Sequence, residues 1–510
     1  MRPTIKEIEK FAVDEHIWGH RLYDEQLPHL AVLEFLGVLA SNRESPLRPP
    51  AVGSVMYRPQ RQIRLRSLLF NNPYIETIRS KQVSDEDKWK QWNDRFAEDC
   101  AKLENGDMRY LRAVFNTFDD FAKAVDLLRS SSFEARSNKR WSSKFVFPFG
   151  PDALYEDLRI DADGGASNDR RFFARTGELL YLMLSRAKNG AKLGDQLVAS
   201  LFDSKAPMNR LARALQGEAQ TASSDRAVGY LPHASHPRFD ILCDDWLAIL
   251  SRDMPVYDAL EHLMASAGLN LLLYFLECGK AQTGDVEPVE LICEIVSRER
   301  TKVRALSGES YQFNQGLSMR AIRTSIESVR LTDEWTQASA SEEPNARSAA
   351  IMRSWFQWPP ENGSDSSVTG DTTGDTLIKS LVEMAESRHE QHFGKIHAAW
   401  SRAVGLSSRR LSRRTRYAPN DKLLKTLVIS VVDDRMQFDE FLDALRNRYG
   451  MVIGDAEGAR LVKEKLVDQE ALSDNQANLE ARLVGLGLVR RLSDSCSFVE
   501  NPFTTVEAAQ

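Results

Sequence analysis

The sequence predicts a mostly α-helical protein, with a multi-helical body and a C-terminal winged-helix-like domain. Three observations lead to this fold class. Apolar residues recur at helical spacing through most of the chain, and no alternation of strands and helices indicates a doubly wound sheet. The end of the chain carries helices and short strands in the order of a winged helix.

Length and composition divide the chain further. Its 510 residues suggest about three domains. The predicted segments are an N-terminal helical region with a short Pro- and Arg-rich insert (1–150), a central all-helical domain (151–360), a flexible linker (361–376), a helix with a basic run (377–420) and a winged-helix-like domain (421–510). The net charge of −6 means that nucleic-acid binding would need a local basic patch.

Helical periodicity is strongest in two regions. Residues 85–129 carry an apolar stripe of Trp89, Trp92, Phe96, Leu111, Val114, Phe118, Phe121, Val125 and Leu128. Residues 170–330 contain four further helical patterns, FFARTGELLYLMLSRA, DDWLAILSRD, YDALEHLMASAGLNLLLYFLE and VELICEIVSRERTKVRAL. The most apolar stretch, Ala267 to Cys278, is shorter than the ~20 residues of a membrane span, which predicts a buried helix.

The segment 361–376, ENGSDSSVTGDTTGDT, has Val368 as its only large apolar residue. Its Gly, Ser, Thr and Asp content predicts a flexible, solvated linker.

The C-terminal segment predicts five elements in order. They are a helix over 422–432, a helix over 438–449 closed by Gly450, a strand over 451–453, a helix over 474–486 capped by Ser473 or Asp474, and a hairpin of 488–492 with 497–499. The third helix is the one that a DNA-binding winged helix places in the major groove. Its predicted outward residues, Asn475, Gln476, Asn478, Glu480 and Arg482, include one cation. Protein binding is therefore the alternative for this domain.

A basic run precedes that domain. It contains Arg402, Arg409, Arg410, Arg413, Arg414, Arg416, Lys422 and Lys425, against one acid, Asp421. Clustered arginines repel one another unless an anion neutralises them, so the run predicts a phosphate-binding patch for DNA, with a solvated face or an acidic protein partner as alternatives. A weaker candidate is Arg136 to Lys144, where Trp141 lies among four cations.

The sequence predicts no catalytic residues, no metal site and no cofactor. The histidines of HEQHFGKIH (His389, His392 and His397) lack the spacing of a zinc-binding helix. The chain also lacks GxxxxGK[ST], GxSxG and GxGxxG patterns. An enzyme of unfamiliar type stays open.

The sequence also predicts a cytoplasmic protein without a membrane partner. The five cysteines have no CxxC spacing, and Cys243, Cys278 and Cys293 lie among apolar neighbours, which is typical of buried free thiols. The charged N-terminus has no signal-peptide core.

Three stretches carry a family resemblance: RLYDEQLPHLAVLEFLGVL (21–39), RRFFARTGELLYLMLSRA (170–187) and RYGMVIGD…NQANLEARLVGLGLVRRLSDSCSFVENPF near the end. They resemble accessory proteins of bacterial multi-subunit phage-defence systems of the phosphorothioation-dependent restriction or methylation-associated defence type. The resemblance implies a subunit that works beside separate ATPases and nucleases.

Two functions remain open on these grounds. The first is a non-enzymatic, DNA-associated accessory subunit of an antiviral complex. The alternative is an architectural subunit, similar in layout to kleisin-type proteins, whose winged helix binds protein partners such as ATPase heads and not DNA.

Overall fold

The computed structural model describes residues 13–19, 22–49, 54–58, 63–100, 108–133, 145–155, 158–160, 166–168, 175–217, 225–296, 301–358, 372–493 and 496–503. Two compact units emerge. One consists of residues 30–228, and the other combines residues 1–29 with residues 229–510. The fold is mostly helical with short strands, which confirms the mostly α-helical part of the prediction.

Up to residue 228 the described helices are α1 (Val13–Trp18), α2 (Pro28–Ser41), α3 (Ile63–Phe70), α4 (Ile75–Arg79), α5 (Asp85–Cys100), α6 (Tyr110–Val114), α7 (Phe118–Ser130), α8 (Thr176–Ser185), α9 (Gly190–Leu201) and α10 (Pro207–Gln216). The strands are β1 (Met56–Tyr57), β2 (Ser132–Phe133), β3 (Phe145–Val146), β4 (Leu158–Ile160), β5 (Ala166–Asn168) and β6 (Arg226–Ala227). They form the antiparallel pairs β1–β6, β2–β3 and β4–β5. A 3-10 helix spans Pro151–Ala153.

From residue 229 the helices are α11 (Pro237–Leu250), α12 (Val256–Gln282), α13 (Lys302–Gln315), α14 (Leu317–Glu327), α15 (Asp333–Ser339), α16 (Pro344–Phe356), α17 (Gly374–Gln391), α18 (Phe393–Ala403), α19 (Asp421–Val431), α20 (Phe438–Tyr449), α21 (Ala459–Lys463) and α22 (Gln469–Gly485). The strands are β7 (Leu291–Ile292), β8 (Ser407–Ser408), β9 (Arg416–Tyr417), β10 (Arg435–Gln437), β11 (Met451–Val452), β12 (Val489–Ser493) and β13 (Cys496–Glu500). A 3-10 helix spans Ser328–Leu331.

The unit of residues 30–228 is built around aromatic side chains of α5 and α7. The ring of Trp92 lies 4.9 Å from that of Phe96 and 4.9 Å from that of Phe121. The predicted stripe is buried here where its side chains are described, except Val114, which is 48 % exposed near the end of the short α6.

A buried carboxylate links two of the family-like stretches inside this unit. Glu34 of α2 accepts hydrogen bonds from the backbone N–H groups of Arg175 (3.1 Å) and Gly177 (2.7 Å) at the start of α8. The carboxylate thereby satisfies N–H groups that the first turn of a helix leaves unpaired. A β-carbon at Gly177 would lie 2.5 Å from the carbonyl oxygen of Ala31, so a larger side chain would push the two helices apart.

The second unit is organised around α12, which is buried along most of its length. By length and composition α12 could cross a membrane, but 89 % of its most apolar 18-residue window is buried inside the protein. The prediction of a buried helix at Ala267 to Cys278 is therefore confirmed. At one end, the Tyr274 hydroxyl donates to the carbonyl oxygen of Trp18 (2.9 Å), and the Trp18 indole donates to that of Phe275 (2.9 Å).

The helix predicted for VELICEIVSRERTKVRAL is wrong in its first half. Residues 291–292 form β7, which pairs in parallel with β11, and the helix begins only at Lys302. Backbone hydrogen bonds from Leu291 N–H to Gly450 O (2.8 Å) and from Cys293 N–H to Val452 O (2.9 Å) extend this pairing. A short apolar run that is buried on both faces has no periodicity to separate strand from helix, and the partner strand lies far away in sequence.

The C-terminal elements follow the predicted order with three differences. The helix predicted from Asp474 begins at Gln469 after the N-cap residue Asp468, so the predicted Ser473 or Asp474 cap is wrong. The short helix α21 was not predicted. Strand β10 was not predicted either, and it pairs with β13 to give a three-stranded sheet in the order β10-β13-β12. The predicted left-handed Gly450 after α20 is confirmed by its φ of 69°.

Most of the predicted linker 361–376 lies outside the described residues. Its last three positions, 374–376, are already the first turn of α17, where the Thr373 hydroxyl accepts a hydrogen bond from the Thr376 N–H. The predicted linker therefore extends three residues into α17.

Candidate nucleic-acid interface

The basic run folds as a β-hairpin. Strands β8 and β9 pair antiparallel, with Ser407 opposite Tyr417 and Ser408 opposite Arg416. The seven residues between them, 409–415, form a loop that presents Arg409, Arg410, Arg413 and Arg414 as exposed side chains. Residues 407–417 are called the arginine hairpin below.

Hydrogen bonds between residues that are close in sequence fix the shape of the loop. The Ser412 N–H donates to Arg409 O (3.0 Å), and the Arg409 Nε–H donates to Thr415 Oγ1 (2.7 Å). The Arg410 N–H donates to Ser408 Oγ (3.0 Å), and the Arg414 N–H donates to Ser412 Oγ (3.1 Å). The two serine hydroxyls satisfy backbone N–H groups of the turn, and the threonine hydroxyl holds the Arg409 side chain, so the arginines are carried on a defined backbone.

The hairpin is anchored through the buried Tyr417. Its carbonyl oxygen accepts from the Glu294 N–H (2.9 Å) and from Ser307 Oγ (2.8 Å). Its hydroxyl accepts from the amide of Asn314 (3.1 Å) and lies 2.7 Å from Nε2 of His397. Burial lowers the pKa of His397 to about 3, so the imidazole is neutral at physiological pH and can accept a hydrogen bond from the Tyr417 hydroxyl.

Arg416 has a different environment from the other cations of the run. It is buried, and its Nε donates to the buried carboxylate of Glu294, while its Nη2 donates to Arg410 O (2.8 Å). The second oxygen of Glu294 accepts from Arg304 Nε (2.6 Å). The Glu294 carboxylate is thus shared by the guanidinium groups of Arg416 and Arg304.

The remaining three cations of the run, Arg402, Lys422 and Lys425, have exposed side chains. Lys422 forms an ion pair with Glu261 (2.9 Å). Within the described part of the chain, neither the four loop arginines nor Arg402 and Lys425 has a carboxylate at ion-pair distance. Seven of the eight predicted residues are thus exposed to solvent. Among the described residues, six of these seven have no carboxylate at ion-pair distance, and the seventh, Lys422, is paired with Glu261.

Leu411 lies in the middle of these arginines with a φ of 58° and an exposed fraction of 57 %. The left-handed conformation costs a residue with a β-carbon about 1–2 kcal/mol. Backbone strain of this kind is most common at functional positions. Leu411 was missed at the sequence level, although an apolar residue inside RRLSRRT was the available signal.

The exposed face of α22 lacks the positive charge of the arginine hairpin. Arg482, its only cation, is held by Asp421 (2.7 Å) and by Pro419 O (3.2 Å). Asn475, predicted to point outward, is buried, and its amide donates to Cys293 O (3.0 Å) and Ile453 O (2.9 Å). The exposed positions of this helix are Gln469, Glu470, Ser473, Asp474, Ala477, Asn478, Ala481, Val484 and Gly485. None of these residues supplies the positive charge that phosphate contact requires.

The three histidines of HEQHFGKIH do not converge. His397 faces Tyr417, His392 lies 3.2 Å from Asp24, and His389 lies 2.9 Å from the Ser318 hydroxyl. Among the described residues, no group of three or more His, Cys, Asp or Glu side chains could hold a metal ion.

Ser318, His389 and Asp14 are the residue types of a catalytic triad. However, His389 Nδ1 lies 3.8 Å from the Asp14 carboxylate and has no hydrogen-bond partner. The ring is buried against Trp18 and Phe393. The geometry lacks the base-orienting hydrogen bond that a triad needs.

The thiols of Cys243, Cys278 and Cys293 are free and buried, as predicted. The second basic candidate, Arg136 to Lys144, lies outside the described residues.

Comparison with known proteins finds a match for the C-terminal part of the chain. The match is to a family of defence-system proteins, which confirms the resemblance predicted from the sequence. The matching family model is that of the methylation-associated defense system protein MAD7, over residues 367–499, or 133 of the chain's 510 residues. These residues include the whole arginine hairpin and α19 to α22. No curated protein and no solved structure matches the chain.

Proposed function

We propose that this chain is a non-enzymatic, DNA-associated accessory subunit of a methylation-associated defence complex and that the arginine hairpin is its DNA-binding element. The observation that carries this proposal is the loop of four exposed arginines without an ion-pair partner among the described residues. Phosphate is the usual anion for such a cluster because guanidinium groups match it in charge and in bidentate geometry.

The environment of the loop supports a phosphate backbone as its ligand. Arg402, Lys422 and Lys425 extend the exposed charge beyond the hairpin. The rest of the chain is acidic, since the total is −6 despite these eight cations. The run is therefore a local excess of positive charge in an acidic chain, as a local nucleic-acid footprint requires.

The proposal is tested by measuring the affinity of the full chain for duplex DNA as a function of salt. Up to seven exposed cations should give a slope of log affinity against log salt between about −3 and −6, since each phosphate contact contributes about −0.9. Duplexes of unrelated sequence should bind equally well, because phosphate contacts do not read bases. A slope near zero would refute the proposal.

We further infer that residues 421–503 form a winged helix that binds a protein partner. The winged-helix assignment is supported by the order α19, β10, α20, α22, β12, β13, with β11 and α21 inserted between α20 and α22, and by the sheet order β10-β13-β12. The exposed face of α22, with no exposed Lys or Arg, favours protein over DNA as its ligand. This is the observation in favour of the architectural alternative, and it is compatible with DNA binding by the hairpin.

A further inference from the structure

Leu411 combines three properties that its role in the fold does not explain. Its side chain is 57 % exposed, so it contributes little to the core. Its φ is 58°, a conformation that glycine or asparagine would adopt at lower cost. It also lies between Arg410 and Ser412 at the centre of the basic loop, where a solvated turn would favour a polar residue.

The loop presents this leucine in a fixed position. The Ser412 N–H donates to Arg409 O (3.0 Å), so the bond closes the turn around Leu411 itself. Next to it, the carbonyl oxygen of Arg410 accepts from the Nη2 of Arg416 (2.8 Å), a side chain anchored on the buried Glu294. The leucine is therefore held outward by a backbone that is tied to the core.

An apolar side chain with Arg410 before it and Arg413 shortly after it suits one kind of DNA site. Proteins that kink duplex DNA insert an apolar wedge between two base pairs from the minor groove, while neighbouring cations contact the phosphates. Arginine is also the side chain that a narrow minor groove attracts most strongly. Residues 409–415 contain no aromatic side chain on which an unpaired base could stack, which disfavours single-stranded DNA.

We propose that Leu411 is a wedge that enters the minor groove of duplex DNA and partly unstacks one base step, while Arg409, Arg410, Arg413 and Arg414 hold the flanking phosphates. This inference rests on the proposed DNA binding by the hairpin and adds the form of DNA that is bound. It predicts a duplex that is kinked by roughly 20–90° in the complex. Flexible pyrimidine–purine steps should be preferred, because they unstack most easily.

The test uses the full chain and a short duplex with a donor and an acceptor dye at its ends. A second duplex carries 2-aminopurine at a central TA step, and its fluorescence rises when the base unstacks. Wild-type protein should increase both energy transfer and 2-aminopurine fluorescence. Leu411→Asn keeps a residue that tolerates positive φ but removes the wedge, so both signals should be lost. Leu411→Met restores an apolar side chain and should retain them.

Affinity provides a third readout. Leu411→Asn should bind an intact duplex about tenfold more weakly, while a duplex with a two-nucleotide bulge, which is already kinked, should be bound nearly as well as by wild type. The matched control is Leu331→Asn, which changes a leucine that is 87 % exposed outside the hairpin and should alter none of the signals.

Failure of this inference is distinguishable from failure of the proposed function. If wild-type protein binds duplex DNA with a steep salt dependence but produces neither bending nor unstacking, or if Leu411→Asn behaves like wild type, the wedge is refuted and DNA binding stands. If wild-type protein shows no salt-dependent DNA binding, both are refuted.

Discussion

At the scale of single residues, the carboxylate of Glu294 helps to anchor the arginine hairpin. It is buried and receives hydrogen bonds from both Arg416 and Arg304. Glu294→Gln would remove the carboxylate that accepts a hydrogen bond from the buried Arg416 guanidinium, so we expect the free energy of unfolding to fall by about 3–5 kcal/mol. Denaturant titration of the full chain measures this loss.

Glu309→Gln is the control for that variant, because Glu309 is exposed on the same helix, α13, as Arg304. Its effect should stay within about 0.5 kcal/mol. A loss below 1 kcal/mol in Glu294→Gln would contradict the role assigned to Glu294.

His397 makes the stability of the protein depend on pH. Burial lowers its pKa from the ordinary 6.5 to about 3 in the folded state. Between these values the unfolded chain binds the proton and the folded chain does not, so stability rises with pH in this window and is lost as the pH falls. His397→Asn should reduce the slope of unfolding free energy against pH by up to about 1.4 kcal/mol per pH unit between pH 6 and pH 4. An unchanged slope in denaturant titrations would show that His397 is protonated in the folded protein.

At the scale of elements, the hairpin and α22 divide the proposed contacts between DNA and protein. Ala477 and Ala481 are exposed one turn apart on α22, and the double variant Ala477→Asp/Ala481→Asp adds charge there without touching the core. We expect it to abolish co-purification with the other subunits of the defence system while the DNA affinity and its salt slope stay unchanged. Loss of DNA binding with intact co-purification would reverse the assignment.

Elements were predictable from the sequence where their periodicity was local. The boundaries of α20 and the left-handed Gly450 follow from an amphipathic pattern that ends in a glycine. By contrast, β7 and β10 are two- and three-residue strands whose partners, β11 and β13, lie far along the chain. No local pattern encodes such pairing, since tertiary contacts decide it.

At the scale of the whole molecule, the segment that matches the family model does not contain its own complete core. Leu291 and Cys293 share one hydrophobic cluster with Leu423, Leu445 and the other core residues of the C-terminal segment. Strand β7 pairs with β11, and Asn314 of α13 holds the hydroxyl of Tyr417. We therefore infer that the structural unit extends well beyond residues 367–499.

This composite core predicts the behaviour of fragments. Residues 367–503 alone should lack a cooperative thermal transition, because they lack α12, β7 and α13. Residues 1–29 joined to 229–510 by a short Gly/Ser linker should restore the transition, since they restore the whole unit. Differential scanning calorimetry of the two proteins measures this difference. A cooperative transition in the short fragment would show that the segment folds alone.

The candidate site was predictable in composition but not in geometry. The density of arginines in RRLSRRTR pointed to an anion-binding patch, and charge alone can be counted from the sequence. The burial of Arg416 depends on Glu294, which lies 122 positions earlier, so its difference from Arg414 could not be seen. The outward position of Leu411 likewise depends on the turn that its neighbours form.

The measurement that tests the central claim most directly compares the salt dependence of duplex binding in two triple variants of the full chain. Arg410→Ala/Arg413→Ala/Arg414→Ala removes three cations of the hairpin, and Lys192→Ala/Lys205→Ala/Arg210→Ala removes the same charge from exposed positions of the other unit. If the hairpin contacts phosphates, the first variant should flatten the slope by about two to three units and weaken all sequences alike, whereas the second should leave it unchanged. An unchanged slope in the hairpin variant would contradict the account and leave the protein-binding role of α22 as the leading function.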